Sequence, residues 1–412
     1  MGLVFKGLEH VAGGPCGLLY QVDMPGPARC SHGPDPGPAG VDVRQRRSLS
    51  QLAASIPTRA LFAASPTLSM VPCIGDGTSG ARVQVIYAHS PGSADRYAQI
   101  APMIKTWASQ VDETYSRSAA ETGGVRHVRF VTSGCDLTVL DVTARSDSPD
   151  HTFEDLVRLG FTRYDRKYLV WMDANEICGI GETYDDETPA AKNANNGPSN
   201  VPGMIARIDE GCWGEYTNLA RGSTEAHELT HTLGAVTAGA PNATQYGHCD
   251  DAYDVMCYED GPGTEMRDVC PTTHQQLLDC NHDDYFNTNP GAGSYLKTHW
   301  NTASNQFLSA AGSPNSDTTA PAVRAQAATV KRGKVAKLRF DVSDDSGKSN
   351  IQGAVFRGKT QLKKWGPEEI GNGSYFVTWK VPAKAQVLDF CVAAQDASGN
   401  DSATICATLR VT

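Results

Sequence analysis

Twelve cysteines, spread from Cys16 to Cys406 with no CxxC pair among them, constrain this chain more than any other feature. An even, dispersed set without that spacing argues against zinc knuckles and thioredoxin-like chemistry. It argues for structural disulfides made in an oxidising compartment, so a secreted, extracellular protein is expected. The opening residues, MGLVFKGLEHVAGGPCGLLY, lack the apolar run of a secretory signal, because Lys6, Glu9 and His10 interrupt it. We give the cysteines the greater weight.

A length of 412 residues suits two or three domains. No apolar run reaches the roughly 18 residues that a membrane-spanning helix needs, so no transmembrane segment is expected. Residues 1–75 are rich in Gly and Pro with little periodicity, and read as an irregular leader or pro-segment. Cys16 and Cys30 are placed to close a small loop there. Arg44–Arg47, RQRR, is either a processing site or plain surface.

Regular structure is expected from about residue 82. ARVQVIYAH reads as a buried strand through Val83, Val85 and Tyr87. Tyr97, Ile100, Ile104, Trp107, Val111 and Tyr115 then form one stripe at helical spacing, with Pro102 a candidate kink. Two strands (VRHVRFVT, LTVLDVTA), a short helix over 153–159 and a strand over 168–174 follow. A polar insertion over roughly 179–203 precedes a strand MIARID and a further helix. This order predicts an α+β domain over residues 76–311 with one mostly buried sheet.

Residues 312–322, GSPNSDTTAPA, read as a linker. Beyond them, over 323–412, alternation at Leu338, Phe340 and Val342, at Tyr375–Val381, at Leu388–Val392 and at Ile405–Val411 predicts an all-β sandwich of immunoglobulin or fibronectin type. Pairing the last two strands about Ser398–Gly399 sets Cys391 opposite Cys406, which predicts a cross-strand disulfide.

The chemistry concentrates in Gly222–Tyr258. Ser223 or Thr224 can cap a helix, Glu225 suits its positive end, and Gly234 is a natural stop. His227 and His231 lie one turn apart on one face, which suits a tetrahedral metal. Glu228 is rotated around the helix, so it can take a proton from a metal-activated water without being a ligand. A chance HExxH on a solvated helix is the bland alternative.

The match extends further. HELTHTLG followed by DVMCY resembles the metzincin clan of zinc endopeptidases, in which HExxHxxGxxH is followed by a Met-turn. The resemblance implies a zincin-like twisted sheet with an active-site helix, zinc as cofactor, and His227 and His231 as ligands with Glu228 as general base. Gly234 and Met256 match the clan's glycine and Met-turn. The third histidine of the pattern would fall at Thr237, so His248 in GHCDD is the substitute, with Asp250, Asp251 or no protein ligand as alternatives. By the same resemblance Tyr258, two residues beyond Met256, would hydrogen-bond the developing oxyanion; a buried structural tyrosine is the alternative. The resemblance spans about residues 80–310, with its specific signal in 227–258. GCWG and CNHDDYF…GSYLKTHWN also look like segments of secreted actinobacterial metalloproteases. Further disulfides are guessed as Cys73–Cys135, Cys178–Cys212 and pairs among Cys249, Cys257, Cys270 and Cys280.

Asp283 and Asp284 with Asn281 and Asn287 are a calcium candidate, although they miss the EF-hand pattern and a polar loop is the simpler account. Residues 322–412 hold 14 Lys and Arg against 8 Asp and Glu, a balance of +6, so the rest of this −10 chain carries −16. An acidic body argues against nucleic-acid binding, and the basic tail suits a cell-wall or other anionic surface. The resemblance to the zinc endopeptidases implies protein or peptide substrates. The rival expectation is an extracellular binding or adhesion protein with a structural zinc, which a closed fourth metal position would favour.

Overall fold

The computed structural model describes residues 6–38, 41–55, 71–197, 202–214, 223–261, 263–310, 320–344, 348–395 and 402–412. The chain divides into two compact units, one of residues 1–57 and 74–314, the other of 58–73 and 315–412. Most of the expected linker lies outside the described residues.

The first unit opens with strands β1 (Leu8–Glu9), β2 (Tyr20–Val22) and β3 (Cys30–Asp35), then helix α1 (Leu49–Ser55) and strand β4 (Arg82–His89). Helix α2 (Tyr97–Glu121) contains Pro102 in its second turn without ending there. Short strands β5 (His127–Val128), β6 (Thr132–Ser133) and β7 (Asp136–Leu137) precede β8 (Val139–Thr143), α3 (Thr152–Arg158) and β9 (Arg166–Met172). β10 (Gly179–Glu182), β11 (Ile205–Asp209) and α4 (Ser223–Thr232) complete the frame.

Eight strands make one sheet in the order β1-β2-β3-β10-β11-β9-β4-β8. β8, β4, β9 and β11 are parallel neighbours. β10 runs antiparallel to β11 on one side and to β3 on the other. Every residue of β4 and β9 is buried, as central parallel strands covered on both faces must be. On one face Ile86, Ala88, Val170 and Met172 pack with Phe153 and Leu156 of α3. On the other, Trp171 Nε1 donates to Glu225 of α4 at 3.1 Å, and α4 lies against β10, β11 and α2.

Two expectations need correction. The segment read as an irregular leader supplies β1, β2 and β3 to the main sheet. Its strands are too short and too interrupted by Gly and Pro to show a period of two. The polar insertion also begins with a buried strand, β10, of sequence GIGE. It is poor in side chains for a packing reason: a Cβ on Gly179 would lie 1.9 Å from Glu228 Oε1, and one on Gly181 3.2 Å from His231 Cβ. Two glycines let α4 rest almost directly on the strand.

The second unit is a β-sandwich. A three-stranded sheet (Ala322–Ala325, Val335–Ser343, Gly373–Lys380) and a five-stranded sheet (Ala328–Val330, Ile405–Val411, Gln386–Gln395, Lys348–Arg357, Thr360–Gly371) share one core. Leu338, Phe340 and Val342 meet Leu388, Phe390, Val392 and Leu409 there. Ile405, expected inward, is 37% exposed. Cys391 pairs with Cys406 in register and the two are disulfide-bonded, although the expected turn lies outside the described residues.

The remaining disulfides are Cys16–Cys30, Cys178–Cys212, Cys249–Cys257 and Cys270–Cys280. Cys73 and Cys135 are also oxidised, and no cysteine is free. No helix among the described residues is long and apolar enough to cross a membrane.

Candidate metal centre

Helix α4 is held at both ends. Glu225 in its first turn accepts from the Gly214 N–H at 2.7 Å and from Trp171. At the other end Trp300 Nε1 and Asn305 Nδ2 donate to the Leu233 carbonyl at 2.9 and 3.2 Å. Gly234 has φ +98°, and a Cβ there would strike the Trp300 indole at 2.5 Å, so glycine is required. The caps expected at Ser223 and Thr224 fall at the edge of the described residues.

His227, His231 and His248 come together. His231 Nε2 lies 2.9 Å from His227 Nε2 and 3.2 Å from His248 Nε2. Tetrahedral bonds of about 2.0–2.1 Å place donors about 3.3 Å apart. Each ring is oriented through its other nitrogen. His227 Nδ1 donates to the Val255 carbonyl at 2.7 Å, and His231 Nδ1 to the Ala235 carbonyl at 2.9 Å. His248 Nδ1 sits 2.6 Å from Asp260 Oδ2. A carbonyl can only accept, so His227 and His231 carry a proton on Nδ1. His231 Nε2 faces both His227 Nε2 and His248 Nε2, an arrangement that suits a cation with nitrogen ligands.

The loop that returns the chain to this point is fixed by Cys249–Cys257. Met256 is fully buried and follows Val255, whose carbonyl accepts from His227. Thr237 instead faces the Tyr295 hydroxyl at 3.1 Å. Asp250 and Asp251 pair with Arg267 at 2.6 and 2.8 Å. Of the alternatives weighed for the third ligand, only His248 reaches the histidine pair.

Two residues at the centre went unforeseen, and both come from β3. Asp35 Oδ2 lies 2.9 Å from His227 Nε2, and Oδ1 lies 3.8 Å from His248 Nε2. His32 stacks on His231 with ring centroids 3.7 Å apart, and its Nε2 is 3.3 Å from Glu228 Oε2. His32, Asp35, His231 and His248 thus form one potential donor set. The HGPD sequence that carries His32 and Asp35 has no helical spacing, and nothing local marks it.

Tyr258 also reaches the centre, but its hydroxyl donates to Asp35. Burial, then the Asp35 charge, pushes the tyrosine well above its ordinary value. Glu228 is fully buried, and its Oε1 has no protein hydrogen-bond partner. Burial and then neighbouring Asp35 hold its carboxyl well above the usual range. Burial, then the other imidazoles, holds His231 well below the ordinary histidine value, and His32 is brought down to about 4, chiefly by burial. Both rings are therefore neutral and able to present lone pairs.

Of the calcium candidates, Asp283 and Asp284 gather with Asp251. Asn287 Nδ2 donates to the His282 carbonyl at 2.9 Å. Asn242 satisfies Asp284 at 2.9 and 3.0 Å, and Arg267 satisfies Asp251. Asp279 organises the loop by accepting from four successive backbone N–H groups, Asp283 to Phe286.

Neither a protein-family model nor a curated protein matches this chain. Among solved structures it is similar to fibronectin(III)-like modules of Clostridium thermocellum CbhA, at 15% identity over 22% of this chain and 97% of that one, TM-score 0.17. It is also similar to the PKD domain of an M14-like peptidase from a Thermoplasmatales archaeon, at 20% identity over 23% and 91%, TM-score 0.17. A third is the CARDB domain of a Pyrococcus furiosus protein, at 15% identity over 23% and 91%, TM-score 0.16. Likeness at this level carries no argument for the chain.

Proposed function

We propose that this protein is a secreted zinc-dependent endopeptidase of metzincin type. One observation carries the reading: His231 Nε2 lies 2.9 Å from His227 Nε2 and 3.2 Å from His248 Nε2, beside a buried carboxylate, Glu228, with one oxygen uncommitted. His227, His231 and His248 would hold zinc. When bound, zinc supplies Lewis acidity, acidifying water and polarising a carbonyl.

The chain's own groups do the rest. Glu228, buried beside the histidines, accepts a proton from the attacking water and returns it to the leaving amine. The Tyr258 hydroxyl, which now donates to a carboxylate oxygen at the centre, is placed to donate to the oxygen of the scissile carbonyl. Gly179 and Gly181 keep the space between β10 and Glu228 free of side chains. The disulfides fit export to an oxidising compartment.

A second reading has its own observation. Asp35 Oδ2 stands beside His227, and His32, Asp35, His231 and His248 form a donor set of four; a closed set of that kind is what a structural zinc in an extracellular binding protein would show. Glu228 argues the other way, since a structural set has no use for a buried carboxylate beside it.

The test is zinc content and casein hydrolysis, before and after removal of the N-terminal segment, for the natural protein and Glu228→Ala. We expect one zinc in each and hydrolysis by the natural protein alone, with the variant slower by at least about 10²-fold. Equal zinc and no cleavage by either, in any form, gives the lead to the binding protein.

A further inference from the structure

Each sheet of the sandwich ends in two edge strands, four in all among the described residues. Natural sheets guard such edges by keeping the strand short or by placing charges and proline on it. Three of the four follow that rule. Ala322–Ala325 and Ala328–Val330 are short, and Thr360–Gly371 carries Lys363, Lys364, Pro367 and Glu368. The fourth, Gly373–Lys380, does not. It runs for eight residues, GSYFVTWK, with aromatic and β-branched side chains and no charge before its last position. It pairs with Val335–Ser343 on one side, and its other side has no strand among the described residues. An extended chain adds to an edge of this kind through backbone hydrogen bonds.

The space beneath the edge is open as well. A cleft of about 140 Å³ lies between Gly373–Lys380 and Thr360–Gly371. Buried Phe340, Ile351 and Phe390 form its floor, and partly buried Trp365, Tyr375 and Val377 its walls. Gly353 keeps one side clear. A Cβ there would stand 3.6 Å from the Trp365 ring and 3.7 Å from Phe390, which are ordinary contacts, so a longer side chain would grow into the cleft. Alternate residues of a strand face opposite sides of a sheet, so every second side chain of an incoming strand would point this way.

The outward face has the opposite character. Lys337 and Arg339 lie opposite Thr378 and Phe376 there, and Val335 lies opposite Lys380. All three cations are exposed. Phe376 is 50% exposed, and Lys337 Nζ leans across the edge strand to 4.9 Å from its ring centroid, with Arg339 Cζ at 6.0 Å. Asp341, the acid beside them, already accepts from Ser374 Oγ at 2.6 Å and from Gln326 Nε2 at 3.2 Å. Charge complementarity therefore asks for acids at the outward positions of an incoming strand and apolar groups at the inward ones. An anionic polysaccharide would meet the cations and leave both the edge and the cleft unused.

We propose that Gly373–Lys380 and the aromatic cleft beside it are a docking site for an extended segment of a partner protein in which acidic and apolar residues alternate. The segment adds to the free edge as a further strand, with apolar side chains in the cleft and carboxylates toward Lys337, Arg339 and Lys380. The site belongs wholly to the second unit and does not depend on the peptidase reading.

The experiment uses the full chain with Glu228→Ala, so that the probe is not consumed, and titration calorimetry as the readout. The probe is a blocked peptide of alternating glutamate and valine with one central phenylalanine. It is compared with a copy N-methylated along its backbone, with a lysine-for-glutamate copy and with dextran sulfate. We expect the parent probe to bind with a Kd on the order of 10 µM, and both copies at least about tenfold more weakly. The same loss is expected when Gly353→Leu fills the cleft, and when Lys337→Glu with Arg339→Glu reverses the face, with near-ultraviolet circular dichroism unchanged. Should Gly353→Leu fail to fold, the charge-reversed protein and the N-methylated copy decide. Equal binding of the parent and N-methylated probes, or binding of dextran sulfate but not of the parent probe, overturns the proposal in favour of a basic surface for anionic polymers. No binding of the parent probe or of dextran sulfate overturns it outright.

Discussion

An imidazole whose Nδ1 proton is committed to an acceptor has only its Nε2 lone pair left to offer. Backbone carbonyls impose that state on His227 and His231, and Asp260 orients His248. Asp260 is thus the one side chain in the orienting set, and the one open to substitution. Asp260→Asn should weaken zinc binding about 10–100-fold in a chelator competition with the fold intact. A different residue governs stability near the same helix. Lys167 is fully buried, donates to the Thr232 carbonyl and lies 4.8 Å from the Phe307 ring centroid. Burial brings its pKa down to about 7 from 10.5. The unfolded chain therefore binds the extra proton between those values. Folding stability attributable to this group rises with pH across that window, by at most about 1.4 kcal/mol per unit. Denaturant titrations from pH 7 to 10 should show the slope, and Lys167→Met should flatten it.

At the scale of elements, α4 and β10 are fitted to one another by two absent side chains. In Gly179→Ala the new methyl group meets the Glu228 carboxylate, the end of a flexible side chain, which must move. The expected result is a protein that keeps its zinc and loses about 10²-fold in casein hydrolysis, because a shift of about 1 Å at a reacting group costs that much. Retained activity would mean that Glu228 acts from another position. α4 itself was legible in the sequence, because i,i+4 histidines, a helix stop at Gly234 and the methionine of DVMCY are local signals. β4 and β9 were legible as unbroken apolar runs. β10 was not: its glycines read as loop, and their reason lies on a helix some 45 residues away. β3 was hidden in the same way. A strand of CSHGPD has no periodicity, and only its neighbours make it a strand.

In the whole molecule, a break in patterning did separate the sandwich from the larger unit, since alternation of period two survives in strands solvated on one face. Hairpin register anticipated Cys391–Cys406 and a short loop Cys16–Cys30, whereas Cys178–Cys212, 34 residues apart, was only a guess. What spacing could not supply was the long-range return of residues 30–35 to the helix at 223–232. That return also has a bearing on timing. His227 is 6% exposed, His231 0%, His248 2% and Asp35 6%, so the histidines are buried among the described residues. An ion of any kind would have to arrive before β3 settles, or wait for it to lift. Chain refolded without zinc and supplied with it afterwards should therefore load far more slowly than chain refolded in its presence, a difference readable by a zinc-responsive dye. On the metallopeptidase proposal, loading is then a step in folding itself.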